Sequence, residues 1–156
     1  MKKIRLTRGM FALVDGEDFE RVDRFSWHPA KGRHTFYAAR AGRVDEKTST
    51  VIMSRYILGV EDKRQVDHRD GNGLNNQKRN LRICSHTQNM QNRCIAKNNT
   101  SGKKGVCYRP KIGKFQASIG VNGKSIYLGF FDTLIKASRA YNRAAKKYHG
   151  DFARLK

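Results

Sequence analysis

The sequence predicts an α+β chain: a β-rich N-terminal segment, a central β-hairpin followed by a helix, and a C-terminal three-stranded antiparallel sheet packed on one helix. Three observations lead to that class. Short β-prone runs bounded by turn residues occupy the first 60 residues. In the middle, an acid and a histidine end one short strand and are followed by an Asn/Gly-rich loop. Near the C-terminus, period-2 alternation gives way to a helical pattern.

The N-terminal segment, residues 1–63, holds the runs Phe11-Ala12-Leu13-Val14, Thr35-Phe36-Tyr37-Ala38-Ala39 and Thr50-Val51-Ile52-Met53. Each predicts a short strand. Between the first two, Phe19, Val22 and Phe25 stand at helical spacing, so Asp18 to Phe25 predicts a short helix. Trp27 and His28 read as a core aromatic and its neighbour. A soft break at Gly59-Val60-Glu61-Asp62-Lys63 closes the segment.

Charge points to the partner. The 156 residues hold 33 Lys and Arg against 13 Asp and Glu, a net charge of +20. Such an excess repels itself unless the protein sits on a polyanion, and nucleic acid is the expected partner. Residues 1–63 carry net +4, residues 64–100 net +5 and residues 101–156 net +11, so the last third is the principal polyanion-binding element. A membrane surface would attract the same charge, but no run approaches the ~18–20 apolar residues of a spanning helix. Met1-Lys2-Lys3-Ile4-Arg5-Leu6 lacks the apolar run of a signal peptide, so a cytoplasmic protein is expected. Cys84, Cys94 and Cys107 are odd in number and form no Cys-x-x-Cys pair; they read as reduced thiols rather than a disulfide or zinc framework. With 38% hydrophobic residues the chain builds small modules, not one large core.

Residues 64–96 carry the chemistry. Gln65-Val66 is β-prone and delivers Asp67 and His68 side by side; Arg69-Asp70-Gly71-Asn72-Gly73-Leu74-Asn75-Asn76 is a turn-rich loop. Asn80 precedes a short apolar strand, Leu81-Arg82-Ile83-Cys84, and a helix opening at Ser85 or Thr87 carries Asn89 and Asn92. Such a hairpin and helix can gather hard oxygen ligands around one ion. Phosphodiester hydrolysis needs a base that works near neutral pH, and a histidine with a pKa near ~6.5 suits it. It also needs a Lewis acid at the leaving oxygen, which a divalent ion supplies. Mg²⁺ keeps several waters, so one carboxylate and one amide oxygen suffice beside the phosphate. Two blander readings compete. An EF-hand loop also begins with Asp, but here Arg69 stands third and Lys78 twelfth, where acids belong. A plain Asn/Gly turn with a solvated histidine is the other, and the spaced asparagines and basic context count against it.

The stretch from Val66 to Asn92 resembles the HNH motif of intron-encoded and phage homing endonucleases, the ββα-metal fold. The likeness runs through Asp-His-x-Asp-Gly-Asn, the Asn-Asn pair, Asn-Leu-Arg and the helix asparagines. It implies a metal-dependent DNA endonuclease. Carried over residue by residue, His68 is the general base, Asp67 a metal ligand, and Asn80 the residue that holds the loop and orients His68. Asn89 is the second protein ligand, for Mg²⁺ by first choice or Mn²⁺ as the alternative. Arg69 and Arg82 are DNA-facing cations, and His86 is structural or phosphate-facing. Many relatives carry Met-His-Arg upstream; this chain has Met53-Ser54-Arg55, and Ser54 removes an imidazole.

Lys97-Asn98-Asn99-Thr100-Ser101-Gly102 reads as a linker, residues 97–102, and residues 103–156 as the last module. Its candidate strands are Gly105–Arg109, Lys114–Val121 and Lys124–Leu128, joined by Lys111-Ile112-Gly113 and by Asn122-Gly123, a strong hairpin signal. Alternation puts Phe115, Ala117, Ile119 and Val121 on one face and Gln116, Ser118 and Gly120 on the other. Asp132 or Thr133 can cap a helix to about Tyr148, whose face of Ala137, Ala140, Tyr141, Ala144 and Tyr148 covers the apolar side. The opposite face presents Arg109, Gln116, Ser118 and Tyr127, with Lys111, Lys114 and Lys124 at its margins; a small curved sheet so equipped can enter a major groove.

Ser101 to Phe152 resembles the AP2 domain through Ser-Gly-x-x-Gly-Val, Gly-Lys-Phe-x-Ala-x-Ile, Tyr-Leu-Gly-x-Phe-Asp-Thr and Ala-x-x-Ala-Tyr-x-x-Ala-Ala. The resemblance implies base contacts from the exposed sheet face. Cys107, Ser118 and Gly120 stand where plant relatives often place charged residues, so the target sequence does not carry over. The two resemblances together imply cleavage of one strand of double-stranded DNA, leaving 5′-phosphate and 3′-hydroxyl ends, by a monomer or weak dimer in a bacterial or phage-infected cell. The alternative is a non-catalytic, sequence-specific DNA-binding regulator that keeps the fold as a scaffold, for which Ser54 is the best support. An RNA-binding role ranks lower, because the sheet-face aromatic signatures of common RNA modules are missing.

Overall fold

The computed structural model describes residues 1–44, 47–96 and 98–155. It divides into two compact units, Met1–His86 and Thr87–Lys156.

The first unit starts with an antiparallel pair, β1 (Lys2–Arg5) and β2 (Phe11–Val14), in the register Lys2↔Val14 to Arg5↔Phe11. Its buried residues include Ile4, Ala12 and Val14. Helix α1 (Gly16–Asp23) comes next, with Asp15 at its N-cap and Glu17 and Asp18 in the first turn, where acids favour the positive helix end. The sequence places this helix through Phe25; it stops at Asp23, and Phe25 lies edge-on to Trp27 with ring centroids 6.4 Å apart. Trp27 is buried and donates Nε1–H to the Val22 carbonyl at 2.9 Å, so it is core, as its sequence context suggests.

Strands β3 (His28–Lys31), β4 (Phe36–Val44) and β5 (Lys47–Ile52) form a second antiparallel sheet in that order. Thr50-Val51-Ile52-Met53 ends the strand one residue early, because Met53 opens helix α2 (Met53–Leu58). That helix ends on Gly59 at φ +62°, the left-handed geometry glycine supplies at a helix C-terminus. Strands β6 (Gln65–His68) and β7 (Leu81–Cys84) complete the unit as an antiparallel hairpin. One core joins all of it: Ile4, Leu6, Ala12, Val14, Val22, Trp27, Ala38, Met53, Ile57 and Leu81. Burying each of the larger of these side chains contributes about 1.5–3 kcal/mol. Leu81 belongs to the hairpin and the rest to residues before it, so residues 1–63 and the hairpin share one body rather than standing as separate segments.

The second unit contains most of helix α3 (His86–Gln91), then β8 (Val106–Arg109), β9 (Lys114–Val121), β10 (Lys124–Phe131) and α4 (Leu134–His149). The sheet order is β10-β9-β8, all antiparallel. Thr133 caps α4, its Oγ1 accepting from the Lys136 amide at 3.3 Å. The core is Val106, Ala117, Ile119, Ala137, Tyr141, Ala144 and Ala145, with Phe115, Val121, Ile126 and Leu128 packed against it. The alternation therefore has the sense the sequence implies. Two details differ. Strand β10 runs past Leu128 because a register shift between Tyr127 and Gly129 absorbs the broken alternation. Tyr148 is exposed, and His149 takes the buried place, with its Nε2 2.9 Å from the Gly120 carbonyl.

Gly105 is required here. It sits at φ +68°, and a Cβ would lie 2.1 Å from the Tyr141 ring and 2.5 Å from the Ser118 carbonyl. Lys97, the first residue of the expected linker, lies outside the described residues. Within the remainder, Asn99 Nδ2 donates to the Lys103 carbonyl at 3.0 Å and Ser101 Oγ to the Val106 carbonyl at 2.7 Å, so this stretch is bonded to the start of β8. Lys104 Nζ donates to the Gln91 and Arg93 carbonyls at 2.6 and 2.8 Å, and burial with the nearby Arg154 lowers its pKa to about 8. All three cysteines are free thiols. Among the described residues no helix is long and apolar enough to cross a membrane.

Candidate active site

Asp67 and His68 end β6, opposite Arg82 and Leu81 of β7. Successive strand residues point to opposite sides, yet both are enclosed, Asp67 at 6% and His68 at 5% exposure. Asp67 Oδ2 accepts from Arg82 at both Nε, 2.7 Å, and Nη2, 2.5 Å. Arg82, a candidate DNA contact by sequence, is thereby tied to a buried carboxylate, its side chain 9% exposed. The cross-strand register accounts for this, because Asp67 and Arg82 are direct partners.

His68 Nε2 stands 3.2 Å from Asn76 Oδ1. The tautomer that matches an oxygen acceptor here carries its proton on Nε2 and leaves Nδ1 as the basic nitrogen. Burial lowers the His68 pKa; the Asn76 bond and the nearby Asp70 and Asp67 pull it up without cancelling the burial. Burial therefore favours the neutral imidazole.

Asn80 makes its side-chain bonds to the loop. Its Nδ2 donates to Asp70 Oδ1 at 3.0 Å and to the Asn75 carbonyl at 2.8 Å, and its Oδ1 accepts from the Asp70 amide at 3.1 Å. It holds the loop, as the sequence implies, while Asn76 holds the histidine. Asn80 closes a 3-10 turn, Lys78–Asn80, and all three of these bonds run to the 70–75 loop rather than to the imidazole. Asn76 is the residue that sequence reasoning misses. Asn76 lies in irregular backbone and Asn80 in a single 3-10 turn, where no periodicity says which amide faces the ring.

Around them the loop is built from side-chain hydrogen bonds, most of them to backbone amides. Asp70 Oδ1 accepts from the Asn72 amide at 2.8 Å, Asp70 Oδ2 from Asn75 Nδ2 at 2.8 Å, and Asn72 Oδ1 from the Leu74 amide at 3.1 Å. Burial alone would raise the Asp70 pKa, but the donors from Asn72, Asn75 and Asn80 outweigh it and hold the carboxylate ionised. Gly73 allows close approach, since a Cβ there would meet the Phe36 carbonyl at 2.5 Å and the Tyr37 ring at 2.6 Å. Strand β2 buttresses the loop: Leu13 N–H donates to the Leu74 carbonyl at 2.8 Å and Asn76 N–H to the Leu13 carbonyl at 2.7 Å. Asp15 adds bonds from Gln77 Nε2 at 3.1 Å and the Lys78 amide at 2.8 Å.

The other candidates of this motif are more dispersed. Arg69 is exposed, directly after His68. His86 is exposed, its Nδ1 3.2 Å from Gln65 Nε2. Ser54 is buried within α2. Asn89 is half-buried on α3, in the second unit. Among the described residues no three His, Cys, Asp or Glu side chains cluster around one point. The buried Asp67 carboxylate is a hard oxygen donor of the kind that a cation keeping its waters takes.

In the second unit the sheet face away from α4 carries the other candidates. Arg109 Nε donates to Gln116 Oε1 at 2.7 Å, fixing both on neighbouring strands. Ser118 pairs with Tyr127 across β9 and β10. Tyr127 is 54% exposed and meets Phe130, 46% exposed, edge to face at 5.5 Å. Phe130 is absent from the sequence-based candidates; only the register shift before Gly129 brings it level with Gln116 on this face. Lys114 pairs with Asp132 at 3.3 Å, while Lys111 and Lys124 are exposed at the turns.

The hairpin thus holds an enclosed histidine beside a carboxylate, next to a hydrogen-bonded loop. The family model for HNH endonucleases matches residues 51–91, which span β6, the loop and β7. An uncharacterized HNH endonuclease of Acanthamoeba polyphaga mimivirus is 30% identical over 152 residues, covering 94% of this chain and 74% of that protein. Protein 3.8 of Escherichia phage T7 is 33% identical over 91 residues, 58% of this chain and 74% of its own length. The chain belongs to the HNH endonuclease family and is a DNA endonuclease. Over 51 residues, 33% of the chain, it is also 43% identical to an AP2-like ethylene-responsive transcription factor of Arabidopsis thaliana, of which it covers 10%. No solved structure matches the chain.

Proposed function

We propose that the protein is a metal-dependent endonuclease that nicks one strand of duplex DNA, with the first unit performing the cleavage and the second acting as an AP2-like reader of the duplex. The observation that carries the cleavage half is the enclosed His68, its Nε2 3.2 Å from Asn76 Oδ1. Nδ1 then takes a proton from the attacking water, and in-line attack on phosphorus expels the 3′-oxygen, leaving 5′-phosphate and 3′-hydroxyl ends. Asp67 would contribute a hard oxygen ligand to a divalent cation, Mg²⁺ or Mn²⁺, which would supply Lewis-acid stabilisation of the leaving oxygen. Arg82 fixes the Asp67 carboxylate through Oδ2 and limits its rotation. Asn80 keeps the loop folded so that Arg69 stays beside the scissile region. On the sheet face, Arg109 and Gln116 supply fork and amide donors of the kinds that read guanine and adenine in a major groove. The viral relatives make a phage or mobile-element setting, in an infected cell, the natural one.

Supercoiled plasmid tests the reading. Mg²⁺ or Mn²⁺ should convert it to the open circular form and chelator should stop this. His68→Ala should slow nicking by about 10²–10⁴-fold, the range of a general base, with duplex affinity unchanged within a few fold. Undiminished nicking by His68→Ala would remove the histidine from the mechanism. A protein that binds duplex but cuts under no metal condition would instead be the DNA-binding regulator.

A further inference from the structure

The outward side of α4 carries a ridge of cations that neither the cleavage site nor the sheet face uses. At 3.6 residues per turn, Lys136, Arg139, Arg143, Lys146 and Lys147 fall on one side of the helix, and all five are exposed or half-exposed. The opposite side, with Ala137, Ala140, Tyr141, Ala144 and Ala145, is buried in the core shared with the sheet. The 16 residues of α4 include no Asp or Glu. Among the described residues none of the five has an ion-pair partner.

A helix face that only meets water usually mixes its signs, because like charges three or four residues apart destabilise the helix. This face stacks Lys136 on Arg139, Arg139 on Arg143, and Arg143 on both Lys146 and Lys147. A bound polyanion turns each of those repulsions into a contact. The ridge from Lys136 to Lys147 is about 16 Å long, a length over which one DNA strand presents about five phosphates. It also faces away from the sheet surface, since α4 covers the sheet's other side. A duplex lying on Arg109 and Gln116 does not reach it.

We propose that the α4 ridge binds the phosphate backbone of a second duplex segment, so that one chain holds two duplexes at once. This rests on the reading of the exposed sheet face as the first DNA surface. The test uses the full-length protein in chelator, so that no strand is cut. A duplex fixed to beads captures a free, fluorescent duplex through the protein, and anisotropy reports binding to a single duplex. The ridge variant is Lys136→Gln/Arg139→Gln/Arg143→Gln/Lys147→Gln, chosen because Gln keeps helix propensity; the sheet variant is Arg109→Ala/Gln116→Ala. Circular dichroism and thermal melting of both establish that they fold.

The ridge variant should capture at least about tenfold less free duplex, with the salt slope of capture shallower by about 3–4, while single-duplex affinity stays within about threefold. The sheet variant should lose single-duplex binding. If the folded ridge variant captures as the wild type does, this proposal fails and the sheet reading stands. If the ridge variant loses single-duplex binding and the sheet variant keeps it, the ridge is the primary DNA surface and both readings fail. Preference of the wild-type ridge for phosphatidylserine vesicles over duplex would also overturn the proposal.

Discussion

The hairpin loop and the sheet–helix module are stabilised by opposite means. Between His68 and Asn80 the chain has little apolar content and holds its shape with side-chain-to-backbone bonds: Asp70 to Asn72, Asn72 to Leu74, Asn80 to Asp70 and Asn75, Asp15 to Lys78. The module in the second unit holds its shape by packing Val106, Ala117 and Ile119 against an alanine-rich helix face around Tyr141. The first arrangement presents polar atoms at fixed positions to a reacting group. The second presents a stiff surface whose outward residues are replaceable. Single-atom polar changes should therefore damage the loop, and changes of volume should damage the module.

The largest effect should come from volume. Gly105→Val places branched carbons where even a Cβ lies 2.1 Å from the Tyr141 ring, at a φ of +68° that β-branched residues avoid. We expect a loss of about 3 kcal/mol or more. Hydrogen exchange should show it as loss of protection in β8, β9 and α4, with β6 and β7 still protected. Equal loss in both units would mean that they unfold together.

Next in size is a polar deletion. Asn80→Ala removes both bonds of Nδ2 and the acceptor of the Asp70 amide, leaving part-buried groups short of partners. Its stability effect should be about 1–3 kcal/mol, and nicking should fall by more than that change predicts. A variant that loses stability but nicks like the wild type when folded would show that loop order is not needed for cleavage.

Legibility in the sequence divides along the same line. Period and turn rules read the module well: β9 has the predicted ends, and Thr133 caps α4 as proposed. They also read β6 and β7, bounded by a loop of unmistakable turn residues. They miss β1, which is short and charged, and β3, where Pro29 argues against a strand. They miss α2 because no capping side chain marks where strand becomes helix between Thr50 and Leu58. Within the site, residue types are readable but pairings are not. Asp67 and His68 come from the motif, whereas the choice between Asn76 and Asn80 as the histidine's partner depends on irregular backbone. The Arg82–Asp67 pair is in principle accessible, since the hairpin register puts the two opposite each other.

The smallest change in structure gives the sharpest test of the loop's chemistry. Asn76 is 1% exposed with Oδ1 3.2 Å from His68 Nε2, so Asn76→Asp exchanges one amide for a carboxylate of nearly equal size. In the wild type, burial holds the His68 pKa below its ordinary value. The acid limb of the rate–pH profile should therefore lie below the ~6.5 of a free histidine. The same shift fixes the sign for stability. As pH falls below the unfolded-state value the unfolded chain takes up the proton first, so the fold loses stability until the folded-state value is passed. A carboxylate on Nε2 favours the imidazolium and should raise the His68 pKa by about one unit or more. The acid limb should move to higher pH by that amount, and the loss of stability over the same range should shrink. Nicking at high pH, where the ring is neutral in both proteins, should change little. An acid limb that stays in place would mean that His68 does not supply the titrating base, whatever its rank in the motif.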